Sequence, residues 1–362
     1  MKFVLGLILF FLSGVFCEAS PRQESRFQKP IRNLQRSLNK KDLDLVIDSL
    51  IQNANRTDLF QLEALLRVYE NEYPETLEGF LKDDIKPFED ELGKLIDLTE
   101  AIGFSEAVDA PREVIAYLKG KTEAQRESLK TFLKDHEFVG RGYVKSPLGD
   151  LQKSLKETEW AGKKTDRKDV LKSFRALFKE IIESDYDMKA LETGLHEFRR
   201  DLRWVPIYLR SFPDLFKLDN RKLPEAKISP DDPVFKSPYS KIPRPKDAVS
   251  FPLLFPKIGL VALNKVIEQL GKVKNTGKME ELLTHTLKES GVASTALEAK
   301  RLAKELVKKH PGYIPVTKTA NQVYRAFKDE DHGLAQALNQ ILKEQKSWNK
   351  RDCKAFLESL GK

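Results

Sequence analysis

The chain has 362 residues, of which 40% are hydrophobic and 33% are charged, and it carries a net charge of +8 at pH 7. Its only cysteines are Cys17 and Cys353, which excludes a disulfide framework and a cysteine-rich metal site. A chain of this length builds an ordinary hydrophobic core, and we expect two or three domains. Beyond the first twenty residues, no apolar run approaches the roughly 20 residues of a membrane-spanning helix.

The first residues have the pattern of a cleaved secretory signal. Lys2 is followed by an apolar run over residues 3–12, which leads into small residues and is too short to span a bilayer. We expect cleavage after Ala19, so that residues 1–19 form the signal. A cut after Cys17 also satisfies the small-residue rule, but a lipid on that cysteine is disfavoured by the bulky residue before it. The protein is therefore predicted to be exported, to the periplasm if the host is a bacterium and otherwise as a secreted protein.

Charge is distributed unevenly along the chain. Residues 21–139 carry 18 basic and 24 acidic side chains, whereas residues 140–257 carry 25 and 18, and residues 258–362 carry 19 and 12. A basic two-thirds behind an acidic third indicates anionic partners for the later part, contact between the two parts, or a lysine-rich solvated surface. We divide the chain into an acidic helical region at 20–140 and a basic helical domain at 150–362.

The acidic region has the spacing of several short amphipathic helices. One of them begins at Leu43, where apolar residues recur at helical intervals behind Asp42, a suitable N-cap.

The segment 140–149 contains three glycines and a proline, which predicts a loop and a domain boundary. Asn55 starts a glycosylation sequon, which has meaning only in a eukaryotic host.

The basic domain begins with an amphipathic helix over 170–182, and its partner is predicted from about Met188 to Leu209. Nine of the eighteen prolines lie in the segment 213–256. Since this segment has hardly any apolar periodicity, we predict a long extended crossover or linker there. Helical spacing resumes near Leu260, and no segment alternates as a strand should. The predicted fold class is all-α, as one or more helical bundles with a long proline-rich crossover or linker.

Familiar catalytic and cofactor motifs are absent from the sequence. The run 271–279 resembles a phosphate-binding loop, but it has one residue too many between its glycines, and Met279 occupies the position of the magnesium-binding Ser or Thr. The five histidines are scattered, and neither His136 nor His196 has the second histidine of a zinc-protease helix. We therefore predict no cofactor, no metal and no catalytic residues, while an unrecognised hydrolase stays open as a minor alternative.

One predicted helix places its basic residues on a single face. Its apolar stripe consists of Leu195, Phe198, Leu202, Val205 and Leu209. A histidine and four arginines fall within about 100° of one another beside that stripe; they are His196, Arg199, Arg200, Arg203 and Arg210. Clustered guanidinium groups repel each other and need anions, and their planar fork suits phosphate. The alternative is that acidic neighbours such as Glu192, Glu197 and Asp201 neutralise them.

The pattern of a histidine at 196 with basic residues three and seven positions later resembles the signature helix of the CHAD family, helical domains named for conserved histidines. The resemblance covers residues 170–212, including the preceding amphipathic helix. It implies a helical bundle that binds inorganic polyphosphate through a basic groove, with His196, Arg199 and Arg203 facing the polymer. Pro206 departs from the pattern and is expected to kink or end the helix, and no convincing second copy of the motif is found.

These observations favour an exported, non-catalytic protein that binds a polyanion, first of all inorganic polyphosphate. His196 would gain positive charge as the pH falls, because its ordinary pKa lies near neutrality. The main alternative is an exported interaction or scaffold protein whose basic face binds an acidic protein, its own N-terminal third, or a cell-envelope surface. The two differ in whether the arginines line an open groove with other basic residues or are already paired with carboxylates.

Overall fold

The computed structural model describes residues 22–140, 145–220, 229, 231–237, 240–242, 252–329 and 333–347, with side chains as far as residue 340. Helices dominate these residues, which confirms the predicted all-α class. The predicted signal and its cleavage position, Cys353 and parts of the proline-rich segment lie outside the described residues. Among the described residues, every helix is too short or too polar to cross a lipid bilayer.

Residues 22–135 form a run of short and medium helices. In chain order they are α1 (Arg22–Leu38), α2 (Leu43–Gln52), α3 (Arg56–Tyr69), α4 (Pro74–Leu77), a π-helical turn at Phe80–Ile85, α5 (Lys86–Ala107) and α6 (Arg112–Asp135). The predicted cap of α2 is confirmed, because the Asp42 carboxylate accepts hydrogen bonds from the backbone N–H groups of Asp44 and Leu45. This contact satisfies two of the donors that a helix start leaves open.

The later part of the chain is also helical. It comprises α7 (Pro147–Glu157), α8 (Lys163–Glu183), a π-helical segment at Leu191–His196, α9 (Glu197–Ser211), β1 (Phe216–Asp219), a 3-10 turn at Pro233–Lys236, β2 (Leu253–Pro256), α10 (Lys257–Glu289), α11 (Ala296–Lys309), α12 (Val316–Lys328) and α13 (Leu334–Ser347).

Part of the predicted loop at 140–149 was wrong, because α7 begins at Pro147. Ser146 acts as its N-cap and accepts a hydrogen bond from the N–H of Gly149. Proline is favoured in the first turn of a helix, where its missing donor costs nothing. A proline taken as a loop signal therefore marks the start of a helix here.

The prediction that the chain has no strand was also incomplete. β1 and β2 form a two-stranded parallel sheet with Phe216 opposite Leu253 and Asp219 opposite Pro256. Each strand has only four residues, which is too short to show alternation. The pairing holds the two ends of the proline-rich segment side by side.

A single hydrophobic cluster runs through most of the molecule. It includes Phe27 of α1, Leu62 of α3, Phe198 of α9, Leu263 of α10 and Leu338 of α13. Buried residues from both sides of residue 140 thus belong to one core. The predicted division at 140–150 stays a prediction. A second, smaller cluster joins the end of α10 to α11 and to parts of α5 and α6.

A buried ionic network joins α1 to the later part of the chain. The Arg26 guanidinium donates to Asp166 at 2.8 and 3.0 Å and to Asp214 at 2.7 and 2.8 Å. Tyr69 of α3 donates its hydroxyl hydrogen to Asp166 at 2.7 Å and contacts Arg26. The network therefore connects α1, α3, α8 and the chain after α9.

The Asn55 sequon is enclosed by the fold. Asn55 is fully buried; its side-chain oxygen accepts a hydrogen bond from Ser37 at 2.6 Å, and its amide donates to Asp58 at 2.8 Å. The folded protein therefore offers no accessible acceptor for a glycan at this position.

Candidate anion-binding cavity

A cavity of about 500 Å³ lies where α9 faces α3 and α10. The 3-10 turn closes part of its rim. The residues that line it are Thr57, Phe60, Gln61, Arg199, Arg203, Pro206, Ile207, Arg210, Val234, Ser237, Asn264, Ile267, Glu268, Gly271, Lys272 and Asn275. Three of the five arginine and histidine residues predicted to bind a polyanion, Arg199, Arg203 and Arg210, are therefore brought together in one cavity.

The spacing of α9 explains why these arginines meet. Arg199, Arg203 and Pro206 lie at successive turns of one helical face, and Arg210 follows a turn after Pro206. Pro206 was expected to kink or end the helix; it does not end it, since α9 continues to Ser211. A proline inside a helix costs about 3 kcal/mol, and here the residues of the next turn, such as Leu209, are fully buried. Core packing therefore holds the last turn of α9, with Arg210, in helical form.

The π-helical segment before α9 fixes where the helix starts. The N–H of Leu195 donates to the carbonyl oxygen of Ala190 at 3.0 Å, which inserts an extra residue into the turn. Gly194 is needed here, because a Cβ at that position would lie 1.8 Å from the carbonyl oxygen of Asp187. The predicted helix from Met188 thus becomes a π turn followed by an α-helix.

Arg203 has the most unusual environment of the three arginines. Its guanidinium carbon lies 4.3 Å from the centroid of the Phe60 ring, and its Nε has no hydrogen-bond partner among the described residues. The pKa of Arg203 is lowered to about 10, mainly by burial and then by the charges of Arg199 and Arg56, against the attraction of Glu89 and Glu63. The folded environment therefore disfavours the charged form of Arg203.

The two carboxylates that act on Arg203 are engaged with other cations. Glu63 accepts from Arg67 at 2.8 Å, and Glu89 accepts from Arg56 at 2.7 Å. The charge of Arg203 is therefore only partly neutralised by the protein itself.

Arg199 lies against the backbone of α10. Its Nε donates to the carbonyl oxygen of Ile267 at 3.4 Å. A Cβ at position 271 would lie 3.1 Å from the same Nε, so Gly271 leaves the space that the guanidinium occupies. An isolated glycine inside a helical run usually has such a packing reason.

The two other predicted residues lie beside the cavity and do not line it. Arg200 is exposed and pairs with Glu197 on its own helix, as the alternative interpretation expects. His196 Nδ1 lies 3.1 Å from a Glu192 oxygen, although the geometry is not that of a hydrogen bond. Burial, then the charge of Lys274, lowers the pKa of His196 below its ordinary value, with smaller contributions from Arg199 and Arg200, while Glu192 opposes the shift.

Helix α10 adds further basic residues near α9. Lys274 is buried, and burial lowers its pKa to about 8, helped by the charges of Lys278 and Arg199 and opposed by Asp97 and Glu192. Lys272 lines the cavity and forms an ion pair with Glu268 at 2.7 Å. Glu268 is the one carboxylate among the described lining residues, so the lining as a whole is positively charged.

The 3-10 turn is held against α10 by polar contacts. The Asp232 carboxylate caps the turn by accepting from the N–H of Val234 at 3.0 Å, and it also accepts from Lys265 of α10 at 2.7 Å. Ser240 donates to the carbonyl oxygen of Val234 at 2.7 Å and accepts from Asn264 at 3.3 Å. These contacts place Val234 at the rim.

Sequence reasoning missed the walls supplied by α3 and α10. Phe60 carries no chemical motif, and the run 271–279, considered only as a phosphate loop, lies inside α10. The available signal was a pair of glycines, Gly271 and Gly277, within a strongly helical stretch. Both allow close packing, since a Cβ at 277 would lie 2.8 Å from a methyl carbon of Leu191.

Among the described residues, no three His, Cys, Asp or Glu side chains are grouped as metal ligands would be. Comparisons of the chain with family models, with curated proteins and with solved structures find no match. The resemblance to CHAD domains stays a prediction.

Proposed function

We propose that this protein binds anionic ligands, without transforming them, in the cavity between α3, α9 and α10. The observation that carries the proposal is Arg203, a guanidinium at the cavity wall whose charge is balanced only in part by Glu63 and Glu89, both of which pair with other cations. A bound anion would supply the negative charge that the surroundings of this arginine provide only in part.

Phosphate is the headgroup that fits the donor set best. Guanidinium groups present parallel N–H donors that match phosphate oxygens, and hydrogen bonds between charged partners are stronger than neutral ones. Arg199 and Arg210 line the same cavity, and Gln61 and Asn275 add neutral amides. A polyphosphate chain would present such phosphates in series, and the resemblance of the 195–203 helix points to that polymer.

The experiment is calorimetric titration of the full chain with inorganic phosphate and with polyphosphate at low salt. We expect Arg199→Met together with Arg203→Met to weaken binding by tenfold or more. Lys163→Met together with Lys164→Met is the control, because it removes two charges at the exposed start of α8. Equal losses in both double variants would show that attraction is only diffuse. No binding by the wild type would refute the proposal.

The salt dependence gives a second readout of the same proposal. Each phosphate contact that displaces a counterion adds roughly one unit to the slope of log affinity against log salt on the duplex-DNA calibration. The arginine double variant should therefore lose about two units of slope for polyphosphate. A full slope in that variant would place the contacts elsewhere.

An interaction protein with an acidic partner remains the second proposal. It is favoured by the pairing of Arg200 with Glu197 outside the cavity, since that charge is already balanced as on a solvated surface. Such a partner, whether an acidic protein or a cell-envelope surface, would bind outside the cavity and would be insensitive to Arg203→Met.

A further inference from the structure

The walls of the cavity are mostly apolar away from the arginines. Phe60 of α3, Pro206 and Ile207 of α9, Val234 of the 3-10 turn and Ile267 of α10 all line it. These side chains come from four separate elements, so they enclose the space and do not form a single stripe. A small, strongly hydrated inorganic anion gains nothing from such walls.

The size of the cavity also indicates a ligand larger than a single inorganic anion. At about 500 Å³ it falls within the range of roughly 300–1,000 Å³ that is typical of small-molecule sites. One water molecule takes about 30 Å³ in the liquid, so a single phosphate would leave much of the space to water against apolar surface. A ligand that fills the cavity needs an apolar part as well as a charge.

We infer that the ligand of this cavity is an organic anion with an apolar body, a phosphate monoester or carboxylate that carries an alkyl or aryl group. This inference rests on the proposed function, because it keeps the arginines as the site of the charged headgroup. The apolar body would lie against Ile207, Val234 and Ile267. The stacking of Arg203 on Phe60 brings the cationic and the apolar part of the wall into direct contact, as an amphipathic ligand requires.

The test is a calorimetric series with inorganic phosphate, ethyl phosphate and hexyl phosphate, with 1-hexanol as the uncharged probe. Burial of each methylene should raise affinity by up to about fourfold. We therefore expect hexyl phosphate to bind at least tenfold more tightly than ethyl phosphate, and 1-hexanol to bind far more weakly than hexyl phosphate.

A variant pair locates the apolar contact. Ile267→Thr keeps the β-branching of a half-buried side chain but shortens it by a methyl group and adds a hydroxyl to the wall. It should weaken hexyl phosphate binding severalfold more than it weakens inorganic phosphate binding. Ile115→Thr makes the same change on α6, at a half-buried position outside the lining residues, and should change neither affinity. Circular dichroism confirms that both variants fold.

The outcomes separate this inference from the proposed function. Equal affinity for inorganic, ethyl and hexyl phosphate, all lost with Arg203→Met, would overturn the inference and support the proposed function. Hexyl phosphate binding that is indifferent to both Ile267→Thr and Arg203→Met would overturn the inference, because the ligand would then bind elsewhere. Binding of 1-hexanol as tight as that of hexyl phosphate would overturn both, since the charge would contribute nothing.

Discussion

The guanidinium of Arg203 lies over the ring of Phe60 at 4.3 Å, and the guanidinium of Arg56 approaches the same ring at 5.4 Å. Only Arg56 has a carboxylate partner among the contacts described above, at 2.7 Å from Glu89. The aromatic face compensates Arg203 in part, because a cation over a ring gains about 0.5–2 kcal/mol. The ring and the attraction of Glu63 and Glu89 together offset only part of the desolvation cost of Arg203, and the remainder has a measurable consequence for stability.

Replacement of Arg203 by Met should raise the free energy of unfolding in anion-free buffer by about 1 kcal/mol. The lowered pKa of Arg203 means that its charged form is disfavoured by folding, and buried charges exchanged for apolar side chains of similar size are often neutral or stabilising. Urea denaturation followed by circular dichroism measures the change, and Arg112→Met at an exposed position of α6 is the matched control.

Excess phosphate should reduce the advantage in unfolding free energy that Arg203→Met has over the wild type. A ligand that binds only the folded wild type stabilises it by about 2.7 kcal/mol at 100 times the dissociation constant. A loss of more than about 2 kcal/mol in Arg203→Met would instead identify this arginine as a structural residue. The anion-binding interpretation would then lose its main support.

Gly271→Ala tests whether the position of Arg199 matters for phosphate binding, without destabilising α10. Alanine inside a helix is favoured over glycine by about 1 kcal/mol, so the variant should be at least as stable as the wild type. Its Cβ would press on Arg199 Nε at 3.1 Å, and we expect phosphate binding to weaken severalfold. Gly120→Ala in α6 is the control, since a Cβ there meets nothing within 4 Å. An unchanged affinity in Gly271→Ala would show that the position of Arg199 does not matter.

Local sequence signals predicted the helices well and the cavity only in part. The cap at Asp42 and the register of Arg199, Arg203 and Arg210 depend on contacts within one helix, so spacing alone reveals them. The pairing of Phe216 with Leu253 joins residues far apart in the chain. Strands of four residues are too short to show the alternation of apolar and polar residues from which a strand is predicted.

The opposite walls of the cavity could not be derived from the sequence for the same reason. Phe60 and Gly271 become part of the site only when α3 and α10 pack against α9. Pro206 illustrates the limit of a local rule: the rule allowed a kink or an end of the helix at this proline, whereas the helix continues and its following turn is buried. Tertiary packing decided each of these cases.

The pH dependence of stability should report the environment of His196. Its pKa in the folded protein is lowered, first by burial and then by the charge of Lys274, whereas the unfolded chain titrates near about 6.5. As the pH falls below that value, the unfolded state binds a proton that the folded state resists. This stabilising contribution is therefore present above about pH 6.5 and is lost at lower pH. We expect His196→Gln to reduce the fall in unfolding free energy between pH 7 and pH 5.

Asp84 titrates in the same range with the opposite sign, because burial, aided by the charge of Asp83, raises its pKa to about 6. The folded state binds that proton more readily, so this group favours folding as the pH falls. Comparison of His196→Gln in the wild-type and Asp84→Asn backgrounds separates the two contributions. An identical pH profile with and without His196 would contradict the lowered pKa.

Substitutions in the Arg26 network should be among those that reduce the free energy of unfolding most. The side chains of Arg26, Asp166 and Asp214 are 2%, 4% and 6% exposed, so loss of the cation would leave two carboxylates buried without compensation. Removal of one partner of a buried ion pair typically costs about 3–5 kcal/mol, and we expect Arg26→Met to reduce the free energy of unfolding by that amount. Tyr69→Phe, which removes one hydrogen bond to Asp166, should cost only about 1 kcal/mol.

Two comparisons show whether the loss arises from unpaired charge. Arg301→Met breaks an exposed ion pair with Glu305, and since such pairs contribute about 0–1 kcal/mol, it should have little effect. Addition of Asp166→Leu and Asp214→Leu to Arg26→Met removes the stranded carboxylates and should recover part of the lost stability. If the triple variant is less stable than Arg26→Met alone, the carboxylates have favourable roles beyond pairing with Arg26, and the cost cannot be assigned to uncompensated charge. If Arg26→Met itself changes the unfolding free energy by less than 1 kcal/mol, the network contributes no more than a surface pair.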